Sequence, residues 1–313
     1  MVRGRECGSG GHALLVTVGL LLSTCGAPRV SAEECPPAGF TKERLLELRD
    51  TKFNSLAAPQ REALAQALLA CLGNPDPQLR DAMAFESLAT LLRSQQVSAA
   101  TATSMLQRLQ PQLAAGFSDR DGFAQPFAAL TLAEVARMDR LKQFLSVEQW
   151  SGLLQSAAGY LSAVRDYRGF DSKAGWRHGV AHGADLLLQL GLNPRASKAE
   201  LDVLLMAIAA QVAPAGDHFY IYGESLRLAR PVFYIAQRNL HSEQEWRTWL
   251  QSLVQPAPLP SWDEAFKSQA GLAKRHNTVA FLTSLYLLLQ ENGTPAMRER
   301  LLEPLRAGLV AVP

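Results

Sequence analysis

From Thr41 onward, apolar residues recur at spacings of three and four, and no alternating run of Val, Ile, Thr and aromatic residues interrupts them. That is the pattern of amphipathic helices, not of strands. Pro59 opens and Gly73 closes a helix over 61–72, and Pro75-Asp76-Pro77 introduces one over 78–93. Further helices are expected over 99–115, with Leu106, Leu109 and Leu113 on one stripe, and over 123–140. Ser146 with Gln149, Ser197 with Glu200 and Ser242 with Glu245 are capping boxes that start helices over 147–165, 198–212 and 243–253. Two more lie between them, over 175–190 and 223–239. After the stiff 256–260 connector three close the chain, over 263–272, 277–291 and 296–309. The expected fold class is all-α: stacked helical hairpins with a loose period of about 40 residues, forming a HEAT-like curved solenoid, with a closed α/α toroid fitting the helix count equally well.

Composition adds exclusions. The 313 residues are 48% hydrophobic and 19% charged, enough apolar material for one large core. A formal net charge of +2, with no Lys/Arg cluster after the first 32 residues, lacks the footprint of a nucleic-acid binder. Residues 1–32 read as a signal peptide: Arg3 and Arg5, an uncharged apolar run from Ala13 to Leu22, and Val30-Ser31-Ala32 before a cut at Glu33. The mature part, 33–313, is then one helical domain with no stretch of the roughly 18 to 20 apolar residues that a transmembrane helix needs, located in the periplasm or outside the cell. A competing reading lipidates Cys25 after Leu22-Ser23-Thr24, although Thr24 suits that processing poorly. Cys35 and Cys71 remain after the cut. In an oxidising compartment they form a disulfide, or they stay as a tail thiol and a buried helix thiol.

Chemistry gathers between Asp166 and Gln189. On a helix over 175–190, His178, His182, Asp185 and Gln189 share one stripe, and the rest of the circumference is nearly all apolar. Two histidines four apart can hold a divalent metal with Asp185 as ligand or orienter, or can move protons. In the structural alternative the imidazoles hydrogen-bond to loop carbonyls while Asp185 pairs with Arg165 or Arg168. The preceding loop offers Arg168, Asp171 and Trp176 to a ligand, with Gly169 and Gly175 bracketing it. A second concentration carries His218, Glu224 and Arg227, the last two spaced for a local ion pair. A third, His276 and Asn277, opens a helix.

The run Gly175-Trp176-x-His178-x-x-Ala181-His182-x-Ala184-Asp185-Leu186 resembles a bacterial family, domain of unknown function 2785. So do Asp166-x-Arg168-Gly169, Gly223-Glu224-x-x-Arg227-Leu228, Asn277, and Phe281-Leu282-x-Ser284-Leu285-Tyr286. The resemblance covers mainly 166–290. It implies a helical-repeat-like domain with its polar residues on one surface, and it supplies no activity. Ser225 stands where the family pattern favours a second acidic residue.

Two function classes follow. One is a binding or scaffold module that presents a polar His/Asp/Arg pocket to a peptide, protein or small-molecule ligand. The other is a metal-dependent or histidine-based hydrolase using His178, His182 and Asp185. They differ in whether His178, His182 and one of His218, His276 or Glu224 converge on a common point. A stripe filled by Trp176 and loop carbonyls favours the binding module.

Overall fold

Ser146, Ser197 and Ser242 each accept a hydrogen bond from the backbone N–H three residues on, and each box is closed by its Gln or Glu partner. Thr41, Ser98, Ser268 and Thr294 cap four more helices with their hydroxyls. The computed structural model describes residues 34–313. The expected leader, its cleavage site and Cys25 lie outside them.

Twelve α-helices follow in order: α1 (Lys42–Asp50), α2 (Ala58–Leu68), α3 (Glu86–Arg93), α4 (Ala99–Leu109), α5 (Ala124–Leu141), α6 (Val147–Ala163), α7 (Gly179–Leu192), α8 (Lys198–Val212), α9 (Glu224–Gln237), α10 (Glu243–Leu253), α11 (Gln269–Asn292) and α12 (Pro295–Ala311). The described residues are all-α apart from a two-strand hairpin, β1 (Phe170–Asp171) and β2 (Gly175–Trp176). Gln78–Phe85 winds as a π-helix into α3. The tail of α4 tightens to a 3₁₀ turn over Gln110–Leu113, because Pro111 has no N–H to continue the α pattern.

Alternate helices stack into two rows. One row runs α3, α5, α7, α9, α11; in the other, α6 packs on α8 and α10 on α12. Polar contacts between successive hairpins recur at nearly constant separations. Arg93 to Glu134 spans 41 residues, Gln110 to Ser156 46, Trp150 to Glu200 50 and Trp249 to Leu205 44. This spatial period is the mark of stacked hairpins. Among the described residues, no principal helix contact joins α1–α4 to α10–α12, so packing runs between neighbours as in an open stack.

Helix α7 is the centre. It lies against α5, α6 and α9, with Val180, Ala184, Leu186, Leu187 and Leu190 at 2% exposure or less. Each fully buried Leu or Val contributes about 1.5–3 kcal/mol. Gly183 and Gly191 let neighbours close in: a Cβ there would lie 3.1 Å from Leu161 and 3.0 Å from Ile235. Cys35 and Cys71 are joined by a disulfide across 36 residues of chain. Among the described residues no helix is long and apolar enough to cross a membrane.

Two boundaries differ from the sequence reading. α7 begins at Gly179, not 175, because Gly175 (φ +73°) and His178 (φ +60°) are left-handed and cannot continue a helix backwards. The helices expected over 263–272 and 277–291 are not separate α-helices: the start of the first is a 3₁₀ segment, Trp262–Lys267, and α11 runs unbroken from Gln269 through the second. His276 and Asn277 therefore sit inside a helix, not at its start.

Candidate ligand-binding groove

Leaving α6, the chain turns at Val164 and runs extended into the β1–β2 hairpin. Asp171 shapes its turn by accepting from the N–H groups of Lys173 and Ala174. Phe170 pairs with Trp176 and Asp171 with Gly175, and the ladder continues as Arg177 N–H and His178 N–H donate to the carbonyls of Gly169 and Arg168. Gly169 has to be glycine, since a Cβ would stand 2.0 Å from the Tyr222 ring.

Buried groups clamp this hairpin from both sides. Arg80, fully buried in the π-helical turn, donates to Ala174 O at 2.7 Å and to Asn74 O at 2.9 Å, and pairs with Asp81 at 2.7 Å. Its guanidinium lies 3.9 Å from the centre of the Phe123 ring, and Arg177 lies 4.3 Å from the same ring. Arg177 also donates to Asp121 O. On the opposite side His178 Nε2 donates to Tyr222 O at 3.0 Å, which assigns the proton to Nε2. Trp176 stacks on the His178 ring at 4.8 Å and meets Tyr222 edge-on at 5.8 Å.

The segment from Ala213 to Gly223 is held in turn by Asn277. This wholly buried side chain accepts from Tyr220 N–H at 2.8 Å and donates to His218 O at 3.0 Å, as a neighbouring strand would. His276 adds a bond to Tyr220 O, and Tyr220 Oη donates to Gln211, whose amide donates to Val164 O. The three polar concentrations thus meet, through backbone and ring contacts.

The histidine stripe is interior. His182 is 6% exposed, stands edge-on to Phe127 at 5.2 Å and has Nδ1 without a partner. Burial pushes its pKa well below the ordinary value, with the His178 and Arg227 neighbours adding to the shift. Burial and the Arg227 charge lower His178 to about 4, against the opposing pull of the Tyr222 carbonyl. Both imidazoles are therefore neutral at pH 7. Asp185 pairs with Arg227 of α9 at 2.5 Å, and burial raises its carboxyl despite that partner. This corrects two expected pairings. Arg168 belongs to Asp166 and Arg165 to the Ser162 and Val164 carbonyls, so neither takes Asp185. Glu224 accepts from Tyr222 N–H and does not pair locally with Arg227. Among the described residues no three His, Cys, Asp or Glu side chains group for one metal ion. His178 Nε2 and Asp185, two of the expected ligand positions, are already engaged.

What opens to solvent is a groove of about 350 Å³ lined by Tyr167, Arg168, Phe170, Asp171, Arg177, His218 and Tyr222. Tyr167 and His218 stack within it at 5.2 Å. Phe170 is 51% and Trp176 38% exposed, large values for aromatics on a fixed hairpin. Arg168 and Asp171 were expected here from sequence. Arg80, Arg177 and Tyr222 were missed. Arg177 and Tyr222 stood inside the marked polar stretches, but nothing in the 78–93 helix pattern singles out Arg80.

A family model described as Protein of unknown function (DUF2785) matches residues 116–287, more than half of the chain. The chain belongs to the DUF2785 family. No curated protein and no solved structure matches. The DUF2785 match takes in every groove-lining residue, the α7 stripe and Asn277, and it leaves out Arg80 and the Cys35–Cys71 bridge. Within this DUF2785 member, one of the groups that clamp the hairpin, Arg80, comes from outside the matched region.

Proposed function

We propose that the protein is an exported binding module whose ligand-contacting surface is the aromatic groove at the β1–β2 hairpin. The observation that carries this reading is the exposed Phe170–Trp176 pair, 5.1 Å between ring centroids, on a hairpin held by Arg80, Arg177 and His178. Exposed aromatics with few rotatable bonds and a fixed backbone lose little entropy on binding, which is why such residues serve as anchors. Export is supported by the Cys35–Cys71 bridge, a bond that persists in oxidising compartments. The two neutral, interior histidines and the engaged Asp185 support binding over water activation.

The test probes an array of envelope oligosaccharides, muropeptides and peptides with the purified protein and with a Phe170→Ala/Trp176→Ala double variant. Signals seen with the wild type should fall at least about tenfold in affinity in the variant, while the variant keeps the wild-type far-ultraviolet circular dichroism spectrum. Equal signals from the two proteins would contradict the assignment of the surface.

A further inference from the structure

The protein has seven lysines. Lys42, Lys198 and Lys267 form ion pairs with carboxylates, and Lys52, Lys142 and Lys173 are exposed. Lys274 alone is half-buried and, among the described residues, has no carboxylate partner. Its ammonium group lies 5.7 Å from the Trp262 ring centroid, and burial pulls its pKa below the ordinary lysine value.

Lys274 borders a cavity of about 160 Å³ walled by Ala213, Pro214, Ala215, Pro258, Leu259 and Ala270. The walls are nearly all hydrocarbon, and the first turn of α11 adds the positive end of a 24-residue helix. A half-desolvated cation with hydrocarbon on its other sides lacks a counter-charge, which a ligand can supply. One ammonium group with no guanidinium fork beside it suits a singly charged carboxylate better than a phosphate.

We propose that this cavity binds aliphatic monocarboxylates, the carboxylate pairing with Lys274 and the chain lying against Pro214, Pro258 and Leu259. The site is separate from the aromatic groove and does not rest on that reading. The two share a border: 213–216 wall the cavity, and His218 and Tyr222 of the same segment line the groove.

Sodium octanoate is the probe. Calorimetric titration of the purified protein should show saturable binding, weakened at least about tenfold in Lys274→Met and kept within about threefold in Lys274→Arg, which preserves the charge. 1-Octanol, with the same chain and no charge, should bind at least about tenfold more weakly than octanoate. Octanoate should also protect Lys274 selectively from amine acylation read by mass spectrometry, with Lys52 and Lys142 as internal references. Absence of saturable octanoate binding up to about 10 mM, a concentration well above useful site affinities, would overturn the proposal. So would unchanged affinity in Lys274→Met, or equal binding of octanol.

Discussion

Arg80 shows what a single side chain does for this surface. It is fully buried, and its guanidinium is held by the carbonyls of Asn74, Pro75 and Ala174 and the carboxylate of Asp81. Arg80→Met keeps the aliphatic volume and removes those bonds. It should destabilise the protein by about 3 kcal/mol, read as a shift in urea midpoint with little change in slope. An unchanged midpoint would mean that the clamp is dispensable. His178 gives a pH dependence with a definite sign. Its folded pKa, about 4, lies below its unfolded value near 6.5, so in between the unfolded chain binds the extra proton. Its contribution is fully present above pH 6.5 and is lost as pH falls toward 4. His182 acts in the same sense, while the raised carboxyls of Asp185 and Glu224 act in the opposite one. The His178 part is isolated by difference: His178→Gln should lose less stability than the wild type between pH 6.5 and 4.5, measured by urea unfolding. Equal losses would contradict the neutral, hydrogen-bonded assignment. Sequence identified His178 through its spacing, but its role as donor to Tyr222 O depends on a left-handed backbone and a partner 44 residues away.

At the scale of elements, local chemistry was legible where it is self-contained. The three Ser capping boxes start α6, α8 and α10 where their spacing places them, because donor and acceptor lie within four residues. Two starts failed for a common reason. The head of α7 is displaced to Gly179 by a hairpin whose strands are two residues long, too short to show alternation. Asn277 was placed at a helix start, yet it lies within α11, where its amide pairs with the extended segment at His218 and Tyr220. A residue of weak helix propensity is retained there by a tertiary contact that local reading does not contain. The polar groups of the groove were largely visible as residue types. The bonds that clamp the hairpin were not, because they span from 44 residues (His178 to Tyr222) to 94 (Arg80 to Ala174).

At the scale of the whole molecule, the all-α class followed from periodicity, and hairpin stacking is written in the contacts that recur 41 to 50 residues apart. No sequence signature repeats with them, since the interfaces use different chemistry: Arg with Glu, Gln with Ser, Trp with Glu. The N-terminal end is fastened by Cys35–Cys71. In the chain-entropy account a loop of this length adds roughly 3–4 kcal/mol, so Cys35→Ser/Cys71→Ser should unfold at clearly lower urea, and reducing agent should lower the wild type to match. A midpoint indifferent to reduction would contradict that role.

The central claim is that the groove exists before any ligand arrives, because Arg80 and Asn277 hold its two loops. Amide hydrogen exchange of the free protein tests this most directly. The N–H groups of Arg177, His178, Tyr220 and Tyr222, all hydrogen-bonded in the structure, should exchange at least about a hundredfold more slowly than an open loop. Asn277→Ala should release Tyr220 while leaving Arg177 and the interior of α7 protected. Fast exchange at all four amides in the wild type would show a groove formed only on binding and would contradict the account.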